Sequence, residues 1–108
     1  MLSEIKAVWL MVMFDLPVVS TEEKRQYTHF RKYLQREGFL QLQFSVYAKY
    51  CASRENAQKY YNHIKYAVPP GGKVRLLMVT DKQFGDMVSL YGKKLEEIEK
   101  KPEQLLLF

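Results

Sequence analysis

The chain has 108 residues, 47% of them apolar, with one cysteine and 17 basic against 12 acidic groups, a formal net charge of +5. That length and apolar content predict one folded domain with a modest core and exclude disorder throughout. The lone Cys51 excludes an internal disulfide and a cysteine-rich zinc module, and fits a reduced, cytoplasmic setting.

The first predicted element is the apolar run Ala7 to Phe14, eight residues long and containing two valines. Glu4 near its start and the lack of a small-residue cleavage site argue against a signal peptide, and no segment approaches the ~20 apolar residues of a membrane helix. It reads as a buried strand, ended by Asp15-Leu16-Pro17 because proline cannot continue a ladder. Ser20-Thr21-Glu22-Glu23 then has the capping-box pattern, opening a helix that runs to about Glu37 and stops at Gly38. Its apolar face carries Tyr27, Phe30 and Leu34, and Arg25, His29, Lys32 and Arg36 lie opposite.

Phe39–Leu42 and Ser45–Cys51 read as short strands. Ser53 caps a second helix over roughly 54–68, with the stripe Ala57, Tyr61, Ile64 and Val68. Pro69-Pro70-Gly71-Gly72 breaks the chain before a strand over Lys73–Thr80. Phe84, Met87, Val88 and Tyr91 have helical spacing ended by Gly92; a charged stretch follows at Lys93–Lys101, and Glu103–Phe108 could make a last strand.

The order β-α-β-β-α-β is the ferredoxin-like α+β pattern, here with a short extra helix and a C-terminal strand. Residues 1–92 form that domain, and 93–108 are read as a charged connector and a strand completing a dimer. Right-handed crossovers put both main helices on one face of the sheet. The first and fourth strands are nevertheless apolar on both faces, so something must cover the second face. A second copy of the chain, packed sheet to sheet, is the economical cover.

Positive charge gathers in the middle of the chain. Residues 49–75 carry Lys49, Arg54, Lys59, Lys65, Lys73 and Arg75 against Glu55 alone. That imbalance suits a polyanionic partner. No phosphate-cradling glycine loop, CxxC or HExxH motif is present, and His29 and His63 sit on polar helix faces. Asp15 stands apart, directly after eight apolar residues. A carboxylate there must be solvated, paired or metal-bound, and a turn role in Asp-Leu-Pro also suits it. Mg²⁺ is held by one or two carboxylates and keeps waters. A twofold axis near the strand end would bring two copies of Asp15 together and make a site for activating water at a phosphodiester.

The segments VMFDLP (12–17), FRKYLQREGF (30–39), QFSVYAK (43–49) and TDKQF (80–84), with the apolar tail, resemble CRISPR-associated protein 2 over essentially the whole chain. QFSVYAK and TDKQF resemble most the members from type II systems. The resemblance implies a ferredoxin-like homodimer that bridges two dimers of the CRISPR integrase during capture and insertion of spacer DNA. It implies that Asp15 is catalytic and binds Mg²⁺, paired across the dimer axis. It also implies endonuclease activity on single-stranded RNA or double-stranded DNA, which varies among members. Tyr47 stands where many members have Phe. Phe39-Leu40-Gln41 lacks the arginine that some members carry after the helix-ending glycine.

Three functions follow, of which the first two can hold together. One is a DNA-binding adaptation subunit whose platform for duplex phosphates is Arg25, Lys32 and Arg36 on the first helix and Arg54, Lys59 and Lys65 on the second. The second is a metal-dependent nuclease centred on Asp15. The third is a small regulatory or RNA-binding ferredoxin-like domain, against which the missing glycine-aromatic signature of RNA-recognition motifs argues.

Overall fold

The computed structural model describes residues 7–92. Four strands, β1 (Val8–Asp15), β2 (Leu40–Gln43), β3 (Val46–Cys51) and β4 (Lys73–Thr80), form one sheet in the order β2-β3-β1-β4. All neighbouring strands are antiparallel. The helices are α1 (Thr21–Arg36), α2 (Arg54–Lys65) and the short α3 (Asp81–Gly85).

Helix α1 starts where the sequence predicts. The Ser20 side chain accepts from the Glu23 backbone N–H at 3.1 Å, and the Glu23 carboxylate accepts from the Ser20 N–H at 3.0 Å. Its end is a Schellman motif. Gly38 N–H donates to Gln35 C=O, Phe39 N–H donates to Leu34 C=O, and Gly38 takes φ +90°, a region that favours glycine. The motif turns Phe39 into the core, so β2 starts at Leu40, one residue later than predicted. A bulge between Gln41 and Gln43 carries β2 past Leu42.

The core lies between the sheet and the two long helices. Val8, Leu10, Val12 and Phe14 of β1 meet Phe30 and Leu34 of α1, Ala57 and Ile64 of α2, and Tyr47 of β3. Both helices therefore sit on one face, as the crossover rule requires. Two helical expectations need correction. Helix α2 ends at Lys65 rather than 68, because Val68 precedes Pro69 and that position disfavours helical backbone. The predicted helix through Tyr91 is only Asp81–Gly85; Gly85 weakens continuation, and Met87, Val88, Leu90 and Tyr91 lie exposed beyond it. The predicted connector and tail strand, 93–108, lie outside the described residues.

The second face of the sheet carries Trp9, Met11 and Met13 from β1, Val46, Ala48 and Tyr50 from β3, and Arg75, Leu77 and Val79 from β4. Helix α3 covers one corner. Phe84 stacks on Trp9 at 3.8 Å between ring centroids, and Trp9 Nε1 donates to Asp81 at 2.8 Å. The chain after it passes Met11 and Val46. Leu40, Tyr50 and Leu77 stay at least half exposed in the single chain. Among the described residues no helix is long and apolar enough to cross a membrane.

Candidate functional site

Asp15 is the last residue of β1, the strand flanked by β3 on one side and β4 on the other. Its seven predecessors alternate between full and partial burial, and Asp15 itself is exposed. Strand alternation puts it on the second face with Trp9, Met11 and Met13. The carboxylate is thus solvated, which removes the penalty of burying a charge. Its Cα partner on β4 is Lys73, and the preceding same-face pair is Met13 with Arg75. Met13, Phe14, Asp15, Lys73 and Arg75 line one shallow depression of about 170 Å³.

The loop before β4 fixes this meeting. Gly72 N–H donates to Pro69 C=O at 3.1 Å. A Cβ on Gly72 would lie 2.5 Å from Leu16 Cδ2, so glycine lets the loop close on the residue after Asp15 without displacing the Leu16 side chain. The sequence counted Lys73 and Arg75 as part of a basic middle but gave them no place in a site. Their i, i+2 spacing on a strand marks one face; that the face is shared with Asp15 depends on the β1–β4 register.

The six basic residues predicted as a phosphate platform all lie on the helices, in the layer on the other side of the sheet from Asp15. All six are exposed. Arg25 is held by Glu22, donating from Nη2 at 2.7 Å and from Nε at 3.1 Å. This bond holds the Glu22 carboxyl below the usual range and raises Arg25. Arg54 opens α2 with Nη1 3.9 Å from Met78 Sδ. Lys59 and Lys65 lie over the rings of Tyr60 and Tyr66. Lys32 and Arg36 project from α1 in no ion pair among the described residues. His29 and His63 are exposed, as their helix faces predicted. Cys51 is buried, and that burial pushes its thiol up, away from nucleophilic use.

Among the described residues no three His, Cys, Asp or Glu side chains converge on a metal position. Among the described residues that line this depression, Asp15 supplies the one carboxylate available to a divalent ion. Mg²⁺ is commonly held by one or two carboxylates completed by waters and substrate phosphates. The donor set fits that ion in the company of a phosphate or of a second carboxylate.

Fold and strand-end site together define a ferredoxin-like α+β protein with an exposed acidic residue at the end of an inner strand and two cations across from it. The chain belongs to the family described as CRISPR associated protein Cas2, whose family model matches residues 8–87. A CRISPR-associated endoribonuclease Cas2 of Flavobacterium psychrophilum is 43% identical over 99% of this chain and 93% of its own length. The protein of the same name from Parvibaculum lavamentivorans is 42% identical over 94% of this chain and 100% of its own. A solved structure titled "Crystal structure of cas2" superposes with a TM-score of 0.58, covering 81% of this chain and 88% of the other at 17% identity. That likeness concerns the fold alone.

Proposed function

We propose that this chain is a metal-dependent endonuclease of the CRISPR adaptation machinery, acting on RNA or DNA phosphodiesters at Asp15. The observation that carries the reading is Asp15 itself, an unburied carboxylate that ends an otherwise apolar inner strand. The endoribonuclease names of relatives at 42–43% identity support it. In this reading a water oxygen bonds to phosphorus and gives up one proton to solvent as the bond from phosphorus to the leaving oxygen breaks, and the leaving oxygen takes a proton from solvent. Asp15, joined by Asp15 of a second copy, would hold Mg²⁺. Bound there, the ion supplies a lowered water pKa and charge neutralisation at the phosphate. Asp15 orients the attacking water by accepting its hydrogen bond.

The second copy packs against the half-exposed apolar face around Leu77 and Tyr50 and makes the homodimer. The same dimer would bridge two integrase dimers and bind duplex DNA, in a type II system as QFSVYAK and TDKQF suggest. One observation favours a second reading, a non-catalytic DNA-binding scaffold. The six helix cations stand on the layer away from Asp15, so duplex binding and strand-end chemistry use different surfaces.

The test is cleavage of end-labelled single-stranded RNA and duplex DNA with Mg²⁺ or EDTA, comparing wild type with Asp15→Ala, with binding measured alongside. Cleavage that needs both the ion and Asp15 supports the nuclease. Equal DNA binding by both proteins with no cleavage by either supports the scaffold.

A further inference from the structure

On the second face the inner strand β1 and the edge strand β4 change character rung by rung. Trp9 pairs with Val79 and Met11 with Leu77, both apolar; Met13 pairs with Arg75, and Asp15 with Lys73. Apolar area is thus concentrated at one end of β1 and β4, and charge at the other. A cover over the apolar rungs leaves the charged rung at the rim, open to solvent.

Lys73 stands directly across from Asp15, yet among the described residues no ion pair within 4.0 Å joins them. Arg75 likewise has no carboxylate partner there. Both side chains are exposed, and both line the depression that holds Asp15. Two cations with no ion-pair partner among the described residues, beside one carboxylate, give the depression a net positive charge. An ammonium offers a point charge and a guanidinium a two-pronged fork for phosphate oxygens.

We propose that Lys73 and Arg75 are the phosphate-binding residues of the Asp15 site, holding a nucleic-acid backbone phosphate in that depression. The inference rests on the reading of Asp15 as the reactive centre and adds the groups that position its substrate. It also gives the second face a nucleic-acid contact of its own, separate from the helix cations.

The test compares wild type with Lys73→Gln, Arg75→Gln and Asp15→Asn in the full-length chain. Binding of a single-stranded RNA is followed in EDTA as a function of salt, and cleavage is followed with Mg²⁺. Each glutamine variant should lower the log–log salt slope by about 0.7, the value for one lost single-strand phosphate contact. Asp15→Asn should bind more tightly in EDTA, because a negative charge beside the phosphate is gone. Circular dichroism confirms that the variants, all at exposed positions, remain folded. Unchanged slopes in both glutamine variants overturn the inference, whatever the cleavage assay gives. Reduced slopes with no cleavage by wild type keep the phosphate site and overturn the nuclease reading instead. Cleavage that needs Mg²⁺ and Asp15, with both glutamine variants binding as wild type does, overturns this inference alone.

Discussion

Arg31 of α1 donates from Nε to the hydroxyl of Tyr47 on β3 at 3.1 Å, fastening the first helix to the sheet through a fully buried ring. The ring packs against Phe14 at 5.8 Å between centroids, one residue before Asp15. Tyr47→Phe keeps that packing and loses only the hydroxyl contact, and Arg31, half-buried, can turn to water. The expected cost is ~0.5–1.5 kcal/mol of stability. Tyr47→Ala opens a cavity and should cost ~3–5 kcal/mol. Urea unfolding of the two variants checks the difference.

Gly72 controls the placement of Lys73. Gly72→Ala drives a methyl group onto Leu16 and must displace either Leu16 or the start of β4. A loss of ~1–3 kcal/mol follows from overpacking. Because the displaced residues flank Asp15 and Lys73, RNA binding should weaken together with the melting temperature. A stability loss with unaltered RNA affinity would mean that the Asp15–Lys73 meeting does not depend on this loop.

The Glu23 carboxylate accepts from the backbone N–H groups of Ser20 and Val19, and these bonds hold it below its ordinary value of 4.5. A carboxyl lowered by folding stabilises the native state above its unfolded value, and that contribution is lost as pH falls through the folded value. The melting temperature should therefore drop as pH is lowered below about 4.5. Glu23→Gln should flatten part of that drop, and Ser20→Ala should cost ~1 kcal/mol at neutral pH. Thermal melts across the acid range read both effects.

Trp9 is the single tryptophan of the chain and stacks on Phe84 of α3. Phe84→Ala should release α3 from the sheet and cost ~0.5–1.5 kcal/mol beyond the lost burial. Tryptophan emission should shift to the red in the variant. An unmoved spectrum would mean that something other than Phe84 shields Trp9.

Much of this arrangement is written locally. The apolar run before Asp15-Leu16-Pro17, the Ser20–Glu23 box and Ser53 each act within a few residues, and each is where the sequence puts it. Lys73–Thr80 alternates between the two faces as one strand, matching its predicted bounds. The failures are nonlocal. The stripe from Phe84 to Tyr91 has helical spacing, but α3 ends at Gly85, after its Phe84 has packed on Trp9 of β1. On α2 the expected Tyr61 is partly exposed, and Tyr60 packs on Phe39, a contact set by the end of α1. Asp15 was legible because its position in the chain is anomalous. Lys73 and Arg75 were not, because strand register joins residues almost sixty positions apart.

The central claim, that paired Asp15 carboxylates hold the divalent ion of the site, is tested most directly by counting bound ions. Mn²⁺ in place of Mg²⁺ can be titrated into the full-length protein and the free ion read by electron paramagnetic resonance. The account predicts one bound ion for every two chains, lost in Asp15→Asn. Equal Mn²⁺ binding by wild type and Asp15→Asn would contradict it.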